Sequence, residues 1–268
     1  MFRTRVLTAA IVLPLAILLI VQGGLWFFGL IALLLTVGTL EFWQMMQRDQ
    51  LQPNPVFAVA LLWVLLLDAQ FPELGIMMPG ISLLLLGSLG WQLSSREGNP
   101  VSDWALTIAG PLYLGWCGYH FIQLRSLPDG LWWLLTALPA IWLADSGAYS
   151  IGRAWGRHKL APAISPGKTW EGWAGGVVVG SLGAAGLAAL WDLKAGPTGP
   201  TALKGLLLGL LISTLAPIGD LAISMIKRQV GVKDTSTLFP GHGGALDRVD
   251  SLLWAAVLGY YFVLWFAV

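Results

Sequence analysis

The chain has 268 residues, of which 56% are hydrophobic and only 11% charged, and its formal net charge is +1. The near-zero net charge gives no indication of a nucleic-acid partner, and a single cysteine excludes a disulfide framework or a cysteine-based metal site. Apolar residues come in blocks of about twenty, the length that crosses a bilayer. These features exclude a soluble globular domain and predict an all-α, polytopic integral membrane protein.

The apolar blocks predict about nine membrane spans. In chain order they cover residues 6–22, 24–41, 56–71, 76–93, 103–121, 131–149, 171–191, 201–223 and 251–268. Some blocks are short or interrupted by glycine or proline, so a total of eight or ten spans is also compatible with the sequence. The first block is not interpreted as a signal peptide, because it is long enough to span, has no small-x-small cleavage site and is followed at once by further spans.

The distribution of basic residues predicts the orientation. Twelve of the 15 lysines and arginines lie at the N-terminus or in loops after even-numbered spans, and three lie on the other side. The positive-inside rule then places the N-terminus and the polar loops in the cytoplasm. We expect a multi-pass protein of the inner (plasma) membrane.

The first four spans carry few polar side chains. Glu41, Arg48, Asp68 and Glu73 lie near predicted span ends, and we interpret them as interfacial charges that reach toward water. Later in the chain, the pairs Gly176/Gly180 and Gly205/Gly209 have small-xxx-small spacing, which predicts close packing of the seventh and eighth spans.

A first polar cluster follows the sixth predicted span. Asp145 lies about 21 Å along that helix at 1.5 Å per residue, and an acid at this depth is a functional candidate. A structural ion pair with Arg153 is the alternative. The GKT of residues 167–169 resembles the end of a P-loop, but Pro162 stands where the first glycine is required and no preceding strand is expected.

A second, denser polar cluster covers residues 220–250. Its charged residues are Asp220, Lys227, Arg228, Lys233, Asp234, Asp247, Arg248 and Asp250. Each would cost roughly 2.5 to 3.5 kcal/mol in lipid, so together they must line a cavity or the membrane surface. Carboxylates suit a hard divalent cation, whereas Lys, Arg and glycine N–H groups suit phosphate oxygens. The combination predicts a site for a metal-bound polyphosphate.

This cluster resembles the signature of the phosphatidate cytidylyltransferases, the CDP-diacylglycerol synthases. The matching residues are Ser224, Ile226, Lys227, Arg228, Lys233, Asp234, Ser236, Phe239, Pro240, His242, Gly243, Gly244, Asp247, Arg248, Val249 and Asp250. Ala245 departs from the pattern, since the family usually has a larger aliphatic residue there. The segment SPGKTWEG, 165–172, resembles a second block of the same family, so the resemblance covers about residues 142–251.

The resemblance implies an enzyme that transfers a cytidylyl group from CTP to phosphatidic acid, giving CDP-diacylglycerol and pyrophosphate in phospholipid biosynthesis. It also implies a homodimer in the lipid bilayer and an active site that faces the cytoplasm. Residues 1–100 would form an N-terminal transmembrane scaffold. Residues 101–268 would form the catalytic region, with cytoplasmic loops at 150–170 and 224–250.

The expected roles follow from spacing and from the resemblance. Asp220, Ser224, Lys227 and Arg228 would share one face of a helix, and Asp247 and Asp250 would share a face where the last helix begins. The expected ligands of Mg²⁺, with K⁺ as a candidate second cation, are Asp145, Asp220, Asp247 and Asp250. Stabilisation of a helix start is the alternative for Asp247 or Asp250 singly.

The remaining candidates are assigned by charge and by position in the motifs. The expected catalytic residues are Lys168, Lys227, Arg228, Asp247 and Arg248. The expected substrate-binding residues are Ser165, Glu171, Ser224, Lys233, Asp234, His242, Gly243 and Gly244. His242 is interpreted as a ligand and not as a general base, because a phosphate monoester is already largely ionised near neutral pH.

Two other functions are alternatives to the transferase. A membrane transporter of a phosphorylated anion would also need a basic, glycine-containing cavity between broken helices. Such transporters normally show paired halves, whereas here the charge is concentrated in the second half of the chain. A phosphatidyltransferase that consumes CDP-diacylglycerol is excluded, because the sequence has no acid-Gly-x-x-Ala-Arg motif.

Overall fold

The computed structural model is mostly helical and describes residues 2–94, 98–238 and 243–268, with the backbone alone for residues 2–9 and 11. The helices are α1 (Phe2–Gln22), α2 (Gly24–Arg48), α3 (Pro55–Gln70), α4 (Met77–Ser94), α5 (Pro100–Ser126), α6 (Gly130–Trp155), α7 (Trp170–Trp191), α8 (Ala202–Leu215), α9 (Pro217–Gln229) and α10 (Leu246–Phe266). A short 3₁₀ helix covers Pro72–Leu74. Strands β1 (Lys159–Ala161) and β2 (Ser165–Thr169) form an antiparallel hairpin.

The prediction of a helical membrane protein is confirmed in outline. Within the described residues, four helical segments are long and apolar enough to cross a bilayer: Gly24–Arg48, Trp170–Trp191, Ala202–Gln229 and Leu246–Phe266. Val12–Gln22 and Pro55–Gln70 are shorter apolar helices. The count of nine spans stays a prediction.

The chain folds as two compact units. Unit 1 consists of Met1–Ile122 and Ile226–Val249, and unit 2 consists of Gln123–Met225 and Asp250–Val268. Helices α5, α9 and α10 each contribute residues to both units. The second polar cluster is therefore divided, with Asp220 and Asp250 in unit 2 and Lys227 and Asp247 in unit 1.

The core of unit 1 is built from the leucine-rich faces of α2 and α3 against α5. Leu35 and Leu66 are fully or almost fully buried. A Cβ at Gly118 of α5 would overlap both of these side chains, so the absence of a side chain at Gly118 lets α5 approach α2 and α3 closely. Close packing of apolar groups at this density stabilises the unit through dispersion as well as through burial.

Unit 2 packs α6, α7 and α8 through glycine faces. A Cβ at Gly176 would lie 2.7 Å from the carbonyl oxygen of Ala144, and a Cβ at Gly209 would lie 2.9 Å from the Cα of Ser181. These neighbours are backbone atoms, which cannot move aside as a side-chain end could. The predicted small-residue packing of the seventh and eighth spans is confirmed.

Two loop predictions are corrected by the structure. The expected loop at 150–170 is largely regular, because α6 continues to Trp155 and the β1–β2 hairpin fills residues 159–169. The expectation that no strand precedes α7 is therefore wrong, although the GKT residues lie inside β2 and at its end instead of in a loop after it. The hairpin begins where Gly156 ends α6 by donating its N–H to Gly152.

The loop predicted at 224–250 is also shorter than expected. Helix α9 continues to Gln229 and α10 begins at Leu246, so the described part of this connection is 230–238 and 243–245. The predicted eighth span is divided into α8 and α9 at Pro217, because proline has no N–H to continue the hydrogen-bond ladder of α8.

Candidate active site

A cavity in unit 2 gathers most of the first polar cluster. It has a volume of about 330 Å³ and is bordered by α6, the hairpin, α7 and the start of α9. The polar lining residues are Asp145, Ser165, Lys168, Thr169 and Ser213, and the rest of the lining is mostly apolar. Such a cavity suits a ligand with one charged end and one apolar end.

Lys168 pairs with one carboxylate and lies near a second. Its Nζ is 2.5 Å from Oδ2 of Asp220, and the side chains of the two residues are 27% and 34% exposed. The Ser224 hydroxyl donates to Oδ1 of Asp220 at 3.2 Å. Asp145 is near enough for the charges of Lys168 and Asp220 to act on it. One lysine and two carboxylates therefore share a site that water and ligands can reach.

Arg153 does not form the structural ion pair with Asp145 that was the alternative to a functional Asp145. Its Nη1 donates to the Tyr149 hydroxyl at 3.3 Å, and no ion pair with Asp145 occurs among the described residues. The alternative of a structural Asp145–Arg153 pair is therefore wrong.

Glu171 anchors the hairpin that carries Lys168. Its carboxylate accepts the N–H groups of Arg157 and His158 at 3.1 and 3.2 Å, and its Oε1 lies 2.6 Å from Nδ1 of His158. Thr169 caps α7 by accepting the N–H of Gly172 at 3.1 Å. These contacts tie both ends of the hairpin to the start of α7, which fixes the strand from which Lys168 projects.

Unit 1 contains a second cluster, centred on Asp247. Oδ1 of Asp247 accepts the Lys227 ammonium at 2.6 Å. Its Oδ2 accepts the N–H of Thr235 at 2.8 Å, the Thr235 hydroxyl at 2.9 Å and the N–H of Gly244 at 2.9 Å. The Lys227 and Asp247 side chains are only 10% and 4% exposed. A buried ion pair is stable only with such additional donors, and Asp247 has them.

The paired glycines of the motif are required by this packing. Gly243 has φ of +80°, and a Cβ there would lie 2.5 Å from Oδ2 of Asp247. A Cβ at Gly244 would overlap the Thr235 hydroxyl and the Glu41 carboxylate. Their structural role is visible, and the substrate-binding role expected for them stays a prediction.

Glu41 is the residue that sequence reasoning missed. It is not an interfacial charge: it is 4% exposed, and four donor groups surround its carboxylate, one of them shared with Asp247. The donors are the hydroxyls of Thr235 and Ser236 and the N–H groups of Ala245 and Leu246, at 2.6 to 2.9 Å. A signal was present, because an acid next to a long apolar run is a functional candidate by default.

The chain is similar to known proteins along almost its whole length. The model of the cytidylyltransferase family matches residues 3–266. The chain belongs to this family. A phosphatidate cytidylyltransferase of Bacillus subtilis (strain 168) is 33% identical to it over 99% of this chain and 98% of the relative. Those of Synechocystis sp. and Pseudomonas aeruginosa are each 34% identical, over 97% and 100% of this chain and 95% and 98% of the relatives.

Other motif residues of this family member lie at the surface. Arg228, Lys233, Asp234 and Arg248 are exposed. Arg228 donates to the carbonyl of Val232 at 3.1 Å, across the turn that follows α9. His242 lies outside the described residues.

Asp250 lies three residues after Asp247, beyond the first turn of α10. It is buried, and its Oδ1 accepts the N–H of Ser251 at 2.6 Å and the Ser251 hydroxyl at 3.1 Å. The expected position at the start of the last helix is therefore confirmed for Asp247, whereas Asp250 lies further along α10. Their expected role as metal ligands stays a prediction.

The side chains expected to bind metal do not form a complete protein site. Among the described residues, no group of three or more His, Cys, Asp or Glu side chains is close enough to hold a metal ion. The oxygens of Asp247 already accept from the Lys227 ammonium and from two backbone N–H groups, and they share the Thr235 hydroxyl with Glu41, so that carboxylate is poorly suited. Asp145 and Asp220 fit better, because Mg²⁺ is commonly bound by one or two carboxylates together with substrate phosphates.

The buried pair predicts a large stability difference between single and double substitutions. Asp247→Asn leaves the Lys227 ammonium buried without its carboxylate and should lower the free energy of unfolding by about 3 to 5 kcal/mol. Lys227→Met combined with Asp247→Asn should recover at least part of that loss, because no uncompensated charge remains. Unfolding in detergent measures both values.

The Lys168–Asp220 pair is the matched control. Because it is about one-third exposed, Lys168→Met should change the free energy of unfolding by less than about 1 kcal/mol. Equal losses from Lys168→Met and Asp247→Asn would contradict the distinction between the two pairs.

Proposed function

We propose that this protein transfers a cytidylyl group from CTP to phosphatidic acid, giving CDP-diacylglycerol and pyrophosphate in phospholipid biosynthesis. The observation that supports the proposal is that Lys168 lies beside two carboxylates at a largely apolar cavity. The chain that carries this site belongs to the cytidylyltransferase family along almost its whole length. Relatives named phosphatidate cytidylyltransferase that match nearly full length support the same reaction.

The reaction needs positive charge more than it needs a base. The phosphate of phosphatidic acid is already largely ionised near neutral pH, so its oxygen attacks the α-phosphorus of CTP without prior loss of a proton. A new P–O bond forms, the bond between the α-phosphorus and the bridging oxygen breaks, and pyrophosphate leaves. Lys168 would neutralise charge on the phosphates, and the apolar wall of the cavity would accept the start of the acyl chains.

For unit 1, we propose from the motif that Lys227, Arg228 and Arg248 are catalytic residues that neutralise phosphate charge. Asp247 would orient Lys227, as their 2.6 Å contact supports. The substrate-binding roles of Ser165, Ser224, Lys233, Asp234, His242, Gly243 and Gly244 are part of the same proposal. Glu171 would act through the hairpin that it anchors.

We propose Mg²⁺ as the cofactor, held by Asp145 and Asp220 together with the triphosphate. When bound, it would neutralise phosphate charge during transfer. Asp247 and Asp250 were also expected to be ligands, and for them the proposal rests on the motif alone. K⁺ as a second cation likewise rests on the family resemblance.

The nucleotide requirement tests the reaction. Purified protein, Mg²⁺ and phosphatidic acid are incubated separately with each of the four NTPs, and lipid-linked nucleotide is measured. We expect product with CTP. No product with CTP would overturn the proposed reaction, whereas product with all four NTPs would keep the reaction type and remove the base specificity.

Lys168→Ala tests the role of the cavity lysine. Loss of one electrostatic contact to a transferring phosphate commonly costs about 10² to 10³ in rate, so we expect a decrease of that size in kcat. Lys159→Ala is the control, because Lys159 is an exposed lysine of the same hairpin. A decrease of only about twofold with Lys168→Ala would mean that this lysine does not stabilise charge in the transition state.

We further propose about nine spans in the inner membrane, with the active site on the cytoplasmic side. Single cysteines test this topology at two exposed positions. Lys194→Cys, between α7 and α8, should react with an impermeant reagent from outside, and Lys159→Cys should react only in opened cells. The reverse pattern would refute the orientation.

A homodimer is proposed from the resemblance alone, and molecular mass in detergent tests it.

A further inference from the structure

The carboxylate of Glu41 contacts residues 235–236 and residues 245–246, on either side of the connection that precedes Asp247. On one side of that connection it accepts the hydroxyls of Thr235 and Ser236, at 2.9 and 2.6 Å. On the other side it accepts the N–H groups of Ala245 and Leu246, both at 2.9 Å. Burial of a carboxylate is costly unless donors satisfy it, and here each of its two oxygens receives two.

Glu41 also stabilises the start of α10. Leu246 is the first residue of that helix, and the first N–H groups of a helix have no partner within it. A negative charge at this end is favourable because of the helix dipole. Asp247 is the next residue, so the direction in which its side chain leaves the backbone depends on how this helix start is held.

Thr235 connects the two carboxylates directly. Its hydroxyl has a single proton, which is shared between Oε2 of Glu41 and Oδ2 of Asp247, each 2.9 Å from the hydroxyl oxygen. Its N–H donates to the same oxygen of Asp247 at 2.8 Å. Gly244 reinforces the connection, since its N–H donates to Asp247 and its missing side chain leaves the space that Glu41 occupies.

We propose that Glu41 is a positioning residue for the transferase reaction: it fixes the orientation of Asp247 and, through Asp247, the position of the Lys227 ammonium. This inference rests on the proposed function. It gives a residue of the predicted N-terminal scaffold a part in catalysis, through a carboxylate that is buried against protein donors.

Glu41→Gln is the first test. One of its two oxygens becomes an NH₂ group, which would face the N–H of Ala245 or Leu246 and could not accept from it. We expect kcat to fall at least about tenfold and the KM for phosphatidic acid to change by less than about threefold, because a small displacement of a catalytic group affects the rate more than it affects binding elsewhere. Hydrogen exchange at the amides of residues 245 and 246 should accelerate.

Asp103→Asn is the matched control. Asp103 is another fully buried carboxylate of unit 1, and it accepts the N–H groups of Gln52 and Asn99 at 2.7 and 3.0 Å. The same exchange of carboxylate for amide should leave kcat close to the wild-type value. Equal losses of kcat in the two variants would reduce Glu41 to a residue that maintains the fold and would overturn the proposal.

Thr235→Val and Thr235→Ser decide the question if Glu41→Gln does not fold. Valine removes the hydroxyl between the two carboxylates, whereas serine keeps it. We expect Thr235→Val to lower kcat and Thr235→Ser to retain most of it. Equal kcat values for the two variants would overturn the proposal.

The outcome for Glu41 is separable from the outcome for the reaction. If wild-type protein gives no product with CTP, the proposed function fails, and with it any catalytic role for Glu41. If wild-type protein is active and Glu41→Gln accelerates exchange at residues 245 and 246 with kcat unchanged, the reaction stands and the positioning role is refuted.

Discussion

Asp247 and Lys227 form a buried ion pair in a chain that is otherwise mostly apolar, and their surroundings are organised to keep that pair stable. The attraction between two buried charges does not by itself offset their loss of hydration. Such a pair is stable only when further hydrogen bonds satisfy its remaining polar atoms. Thr235 and Gly244 supply those bonds to Asp247. The same requirement extends to Glu41, whose carboxylate completes the network from α2.

The two glycines that precede α10 follow from this network. A side chain at Gly243 would contact the Asp247 carboxylate, and one at Gly244 would overlap Glu41. A motif that looks in sequence like a flexible phosphate-binding loop therefore has a second explanation, namely that two carboxylates approach its backbone closely. The exposed members of the motif, Arg248 among them, do not take part in that packing.

The cluster in unit 2 has the opposite character. Lys168 and Asp220 are about one-third exposed and Lys168 lines a cavity, whereas Lys227 and Asp247 are almost fully enclosed. A partly exposed pair exchanges partners at low cost, because water stabilises both charges while the contact is broken. This difference is why the proposed phosphate and metal contacts are assigned first to Lys168, Asp145 and Asp220, and why Asp247 is assigned the orientation of Lys227.

The sequence alone determined the helical membrane class, the places where charge must be sheltered from lipid, and the glycine faces between α7 and its neighbours. Each of these is encoded within one helix or one short segment, as apolar length, charge density or spacing. Only the tertiary structure decided which charges pair, that a hairpin carries Lys168, and that Glu41 belongs with the motif before α10. Glu41 and its partners are 194 to 205 residues apart in the chain, and helical periodicity carries no information about contacts at such separations.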